Sequence, residues 1–196
     1  MDGNDRSDGL AAVEPMRGDG PVHPILARLG GSDRRSIGDA DRVAEEIAED
    51  SNLFRIVLEG MLDDDPVIRM RAADAVEKAT RSNPELLRPH KVRLLCDVAA
   101  IRQQEVRWHL AQLLPRLLLD EEEREEAWSL LESFLEDESK IVQVNAMQAM
   151  ADLTAGDESK RPRAVRLIRR HMEGGSPAVQ SRGKRLLVEL GAERSH

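Results

Sequence analysis

Apolar residues recur along this chain at helical spacing and then recur again at a longer interval. Set in one column, Ile68, Val106, Val142 and Val179 are separated by steps of 38, 36 and 37 residues. Four residues on stand Ala72, Leu110, Ala146 and Gly183, then Ala75, Leu113, Ala149 and Leu186, then Val76, Leu114, Met150 and Leu187. A last column reads Ala79, Leu117, Leu153 and Leu190. Upstream of the anchors, Met61, Ala99, Leu135 and Met172 align, as do Val57, Leu95, Leu131 and Ile168, and Ile56, Leu94, Leu130 and Leu167. Positions i, i+4, i+7, i+8 and i+11 fall on one face of an α-helix, and a near-constant period of this length marks a helical repeat.

Each unit therefore predicts two helices, A and B, joined by a tight turn. Asp65-Pro66 and Ser176-Pro177 place a capping side chain before a proline at the first helical position, and Ser139 occupies the same column. An isolated hairpin cannot bury its apolar stripe, so neighbouring hairpins must supply the core. The column Ala73, Ala111, Met147, Lys184 ends on a charge, which predicts that the array stops after the fourth unit. Pro115 predicts a break in the second B helix.

The predicted organisation is an arm over residues 1–35, then a domain over 36–192 with repeats at about 52–82, 85–119, 120–155 and 159–190. The arm is rich in Gly, Asp, Pro and Arg without periodicity and is expected to be disordered, so its deletion should leave the thermal midpoint nearly unchanged. Within it, Pro24 to Leu29 has the makings of one docking helical turn. Val43, Ala44 and Ile47 predict a short amphipathic helix covering the first repeat.

Composition narrows the function. With 196 residues, a formal charge of −8 and no tyrosine, the chain lacks the general basic surface of a nucleic-acid or lipid binder and the aromatics of a base-stacking platform. No basic segment followed by an apolar run opens the chain, and no apolar stretch is long enough to span a membrane. The single cysteine, Cys96, reads as a small buried hydrophobe in a reducing compartment, which makes a cytoplasmic location the expectation.

The segment DDDPVIRMRAADAV, residues 63–76, resembles a HEAT repeat, with its acidic turn, Asp-Pro, Val-x-Arg and paired alanines. EVRWHLAQLL (105–114), IVQVNAMQAM (141–150) and AVQSRGKRLL (178–187) are weaker copies, so the resemblance covers about residues 52 to 190. The Trp, Gly and Tyr signature of a tetratricopeptide array, which has a similar period, is missing. The resemblance implies an all-α, right-handed α-α superhelix of about four hairpins with a short N-terminal capping helix. It also implies that the B helices line a concave face.

On that face three polar ladders would run: Arg71, His109, Asn145, Arg182; then Asp74, Gln112, Gln148, Arg185; then Lys78, Arg116, Asp152. Amides and guanidiniums in such rows suit hydrogen bonding to a polypeptide, with arginines as anchors. Arg69 and Arg107 share a column with Gln143 and Gln180, where HEAT arrays place an arginine that braces adjacent repeats against turn acids such as Asp63 or Asp64. Trp108 and Trp128 are expected to pack between helices, Trp128 in a column with Phe54, Val92 and Val165.

Catalytic patterns are missing. None of His23, His90, His109, His171 and His196 is followed by Glu, as HEAT-like diiron hydroxylases require, and no His-x-x-x-His, Cys-x-x-Cys or glycine-rich phosphate loop occurs. No cofactor or metal is implied. Charge is segregated, however: Asp120 to Glu126 is acidic and Lys160 to Arg185 is basic. Either the two attract one another within or between molecules, or the basic end meets phosphate. The sequence thus predicts a non-catalytic scaffold that binds another protein on its concave face, with nucleic-acid backbone binding through the last repeat as the alternative.

Overall fold

The computed structural model describes residues 22–31 and 38–193, and among them every regular element is helical. Helix α1 spans Pro24–Leu29, α2 Ala40–Glu49, α3 Ser51–Glu59 and α4 Pro66–Ala79. Helix α5 is the short Lys91–Arg93, α6 Gln104–Leu113, α7 Glu121–Leu135, α8 Lys140–Leu153, α9 Arg161–Met172 and α10 Pro177–Glu189. None is long and apolar enough to cross a membrane.

The even-numbered helices from α2 to α10 form a continuous row, each packed on the next, and α3, α7 and α9 each pack beside the even helix that follows. Every B-helix column is buried, from Ile68, Val106, Val142 and Val179 to Ala79, Leu117, Leu153 and Leu190. Ala73, Ala111 and Met147 are buried where α4, α6 and α8 meet their successors, while Lys184 is exposed on the last helix. Each fully buried aliphatic side chain contributes roughly 1.5–3 kcal/mol, so the core is the sum of interfaces between hairpins.

Local chemistry sets the helix ends. The Asp65 side chain accepts from Val67 N at 2.8 Å, and Ser176 accepts from Val179 N at 3.4 Å, each before a proline. Ser139 stands at the same position but its side chain makes no capping bond; its backbone N–H instead donates to Asp137 Oδ1 at 2.8 Å. At α7 the cap is a reciprocal box between Asp120 and Glu123. Helix α6 stops at Leu113 and a 3-10 turn, Leu114–Arg116, carries Pro115.

The column Arg69, Arg107, Gln143, Gln180 has one recurring role. Arg69 donates to Asp63 O at 2.7 Å, Arg107 to Ile101 O at 3.2 Å, Gln143 to Asp137 O at 2.6 Å and Gln180 to Gly175 O at 2.9 Å. Each side chain thus clasps the carbonyl that opens its own A–B turn. Arg69 reaches backbone carbonyls, not the Asp63 or Asp64 carboxylates. The brace between repeats comes from Arg69 to Gln103 at 2.9 Å and from the Arg107–Asp137 ion pair.

Three expectations need correction. The segment 22–31 is not a disordered arm: Ile25 and Leu29 of α1 are buried against α3 and α4. The remainder of 1–35 lies outside the described residues. Cys96 is exposed, and Val92 is 71% exposed, although each falls in an apolar stretch. Both lie in or beside a π-helical turn, Leu94–Val98, which continues α5. This turn falls within the longest of the three repeat intervals. A π turn absorbs an additional residue, and one residue rotates the preceding helix by about 100°, which turns Val92 outward. Trp128, in the same column, is fully buried beneath Arg163, whose guanidinium carbon sits 5.2 Å from the ring centroid.

Candidate polar groove on the B helices

Of the eleven ladder side chains expected on the open face, six meet around one groove. Gln112, Arg116, Asn145, Gln148, Asp152 and Arg182 line a depression of about 350 Å³, together with Glu77. Its walls are α6, α8 and α10, three successive members of the helix row. Helical spacing places Asn145, Gln148 and Asp152 on one face of α8. Cross-helix hydrogen bonds then set the rotamers: Gln112 Nε2 donates to Asn145 Oδ1 at 3.0 Å, and Arg182 Nη1 donates to Gln148 Oε1 at 2.8 Å. Gln148 Nε2 donates to Asp152 Oδ1 at 2.8 Å, and Asn145 Nδ2 to Ile141 O at 2.8 Å.

The N-terminal half of the ladders is occupied by the protein itself. Arg71 is only 4% exposed, and its Nη1 donates to Leu29 O at 2.9 Å and Gly30 O at 2.5 Å. It holds the end of α1 and is not an anchor for a partner. His109 is likewise buried and reaches Gln112 Oε1 through Nδ1 at 3.1 Å. Asp74 accepts from Lys78 at 2.7 Å, and Lys78 also pairs with Asp41 of α2 at 2.5 Å. Arg185 is exposed on α10 outside the groove lining.

Arg116 does line the groove, but three of its five N–H donors and its charge are engaged within the protein. It gives bonds to Glu77 O at 2.7 Å, Thr80 Oγ1 at 3.0 Å and Glu77 Oε1 at 2.5 Å. Glu77, 2% exposed, had no place among the expected site residues. A signal was present: its column reads Glu77, Pro115, Ala151, Val188, a charge among apolar positions, as with Lys184. Burial pushes the Glu77 carboxyl up, but the hydrogen bonds from Arg81 and Arg116 outweigh it and hold the group below its ordinary range.

Opposite charges on the outer helices attract within the molecule. Arg163 of α9 pairs with Glu125 at 2.8 Å and Glu132 at 2.7 Å on α7, and Lys160 also pairs with Glu125. Arg161 pairs with Glu158 at 2.7 Å, and Arg169 donates to Ala192 O at 3.1 Å. Among the described residues no group of three or more His, Cys, Asp and Glu side chains is placed to hold a metal ion.

Burial pushes the His90, His109 and His171 imidazoles below their usual range; for His109 this holds despite the nearby carboxylates of Asp74 and Glu77. Among the described residues His171 Nε2 is buried without a hydrogen-bond partner. The unfolded chain takes up protons near pH 6.5 that these folded sites refuse, so stability declines as pH falls from about 6.5. We expect the melting midpoint to drop between pH 7 and 5. Replacing the three histidines with glutamine should remove most of that slope, as read by circular dichroism.

Over its described residues the molecule is thus an all-helical fold of consecutive hairpins with an amide-lined groove along its row of B helices. A crystal structure of an engineered protein, a target of the Northeast Structural Genomics Consortium, is similar to it with a TM-score of 0.58 at 15% identity. The match covers 85% of this chain and 77% of that one, and the likeness is one of fold. No protein-family model and no curated protein matches the chain.

Proposed function

We propose that this chain is a non-catalytic binding scaffold: a HEAT-like, right-handed α-α superhelix of four hairpins, led by α1 and α2, that holds a polypeptide partner along its B-helix face. The observation that carries the reading is the hydrogen-bond state of the groove amides. Gln112 and Asn145 each donate one N–H and accept one bond, and Gln148 donates to Asp152 while accepting from Arg182. A primary amide has two N–H donors and two acceptor lone pairs. Each of the three therefore retains one donor and one acceptor, the complement of an extended peptide backbone. Their orientation is fixed beforehand by the bonds already made, which lowers the entropy cost of binding.

The binding face falls on Gln112, Asn145, Gln148 and Arg182, not on the full ladders. Of the basic stretch, Lys160 and Arg163 are neutralised by α7 and Arg161 pairs with Glu158. Arg166, Arg170, Lys184 and Arg185 are exposed and form no ion pair among the described residues, so phosphate binding by these four is the second reading. The exposed thiol of Cys96 fits a reducing compartment, as the cytoplasm provides.

Affinity capture from a lysate, quantified by mass spectrometry, tests the reading. The double variant Asn145→Asp/Arg182→Glu should retain helicity and melting behaviour while losing a captured protein by at least about tenfold, equal to about 1.4 kcal/mol of binding. Capture that is indifferent to this change removes the groove from consideration.

A further inference from the structure

The polar groove does not end at Asp152. A second depression, of about 480 Å³, lies between the segment that follows α6 and the end of α8, and Pro115 and Asp152 form part of both walls. The two are one track, polar along α6, α8 and α10 and apolar beyond Pro115. In the apolar part the lining includes Leu117, Leu118, Leu119 and Leu153. Leu117, Leu119 and Leu153 are buried, while Leu118 is 60% exposed, one of the few large apolar side chains so open to water. Leu117 has an extended backbone, in which successive side chains point to opposite sides, so burial of its two neighbours turns Leu118 outward.

Asp120, also on the track, caps α7 by accepting from Glu123 N at 2.9 Å; of the remaining charges, one carboxylate lacks a cation partner. Lys91 pairs with Glu123 and donates to Leu118 O at 3.0 Å, and Arg124 donates to Leu119 O at 3.1 Å. Arg116 is committed to Glu77 and Arg182 to Gln148. Asp152 accepts a neutral amide N–H from Gln148 and forms no ion pair among the described residues. It lies in the last turn of α8, where the helix adds partial negative charge. Asp152 is open to water over part of its surface; even so, desolvation around it, with repulsion from Glu189, outweighs the Gln148 hydrogen bond and the attraction of Arg182 and Arg116 and pushes its carboxyl up. Such a carboxylate is stabilised by an incoming cation.

Resting on the binding-face reading above, we infer that the partner enters as an extended peptide segment carrying a large aliphatic side chain next to a lysine or arginine. The aliphatic group covers Leu118 and fills the space toward Leu153. The cation meets Asp152 at the junction, and the adjoining backbone bonds to Gln148, Asn145 and Gln112. Acidic segments and nucleic-acid backbone are disfavoured at this end, because both bring negative charge to Asp152.

The test is selection of a random-peptide phage library on the full chain, followed by fluorescence anisotropy of the enriched sequences as fluorescein-labelled synthetic peptides. Enriched peptides should carry Leu, Ile, Val or Met beside Lys or Arg. Leu118→Asp and Asp152→Lys should each weaken binding by at least about tenfold, and exchanging the peptide's basic residue for Glu should restore affinity for Asp152→Lys. Both positions are exposed, so unchanged circular dichroism serves as the folding control. An absence of enrichment, enrichment of acidic peptides, or affinity untouched by Leu118→Asp overturns the inference. Binding that Asn145→Ala/Gln148→Ala weakens and Leu118→Asp does not would leave the polar groove standing and sink only its apolar, cation-seeking extension. The converse pattern would sink the polar groove, and with it the backbone contacts inferred here, and leave only the contacts at Leu118 and Asp152.

Discussion

Leu29→Ala is expected to lower the unfolding free energy by about 3 kcal/mol, the usual cost of truncating a fully buried leucine. Leu29 lies in a helix of six residues inside the arm, at the place where the sequence offers one docking turn; were the whole arm disordered, the expected cost would be near zero. The structure places it inside the core, with Ile25 one turn earlier, against α3 and α4. Three further contacts hold α1 there. Leu26 lies over Gly60, where an added Cβ would approach its Cδ2 to 2.7 Å. Arg28 forks onto Glu46 of α2 at 2.6 and 2.9 Å and reaches Asp39 at 2.6 Å. Arg71 holds the carbonyls of Leu29 and Gly30 from below. Denaturant titration of Leu29→Ala beside Val22→Ala, an exposed neighbour expected to stay within about 0.5 kcal/mol of the parent, reads the difference. Equal stabilities for the two variants would mean that α1 is not part of the folded unit.

Arg116→Ala should cost a similar amount, about 3 kcal/mol, by a different mechanism. The Glu77 carboxylate is 3% exposed and is held by Arg116 on one side and by the largely exposed Arg81 on the other. Deleting Arg116 strips the buried carboxylate of one cation and leaves Glu77 O and Thr80 Oγ1 without that donor. Replacing Glu77 and Arg116 together with methionine should recover much of the loss, since the penalty lies in the unpaired charge more than in the missing bond. The pH dependence separates this mechanism from lost packing. Because the folded Glu77 sits below its ordinary range, its contribution is complete above about pH 4.3 and disappears as pH falls through the folded value. In Arg116→Ala, burial is opposed by Arg81 alone, so the acid-induced loss of stability between about pH 5 and 3 should be smaller than in the parent. A parallel loss in both proteins would assign the cost to packing.

The repeat was legible because burial and period coincide. A residue such as Val106, Leu110 or Leu113 recurs at i, i+4 and i+7 only if one helix face is buried, and its repetition in each unit means that each face meets a similar neighbour. Lys184 is the inverse case: in the column that is buried between hairpins in the other three units, it places a charge, and on α10 that position is exposed. The clasp by Arg69, Arg107, Gln143 and Gln180 could be located as a column, but not assigned to backbone carbonyls, because a donor's sequence position does not name its acceptor. The exposure of Cys96 and Val92 escapes the pattern because periodicity assumes about 3.6 residues per turn, and the π turn that contains Cys96 and follows Val92 breaks that assumption.

For the groove, residue type along the B helices showed which side chains were polar, and the row of helices brought six of them together. Only the packed structure decided how many were already spent. Arg71 and Arg116 look identical to Arg182 in sequence, yet the first closes over α1, the second neutralises Glu77 and the third borders the open groove. The difference arises from contacts between residues 34 to 42 positions apart, from Arg71 to Leu29, Arg116 to Glu77 and Arg182 to Gln148. Local pattern reports which face of a helix meets water or core, since that is fixed by spacing of a few residues. Which donor meets which acceptor depends on how hairpins settle against one another, and that is a property of the assembled fold.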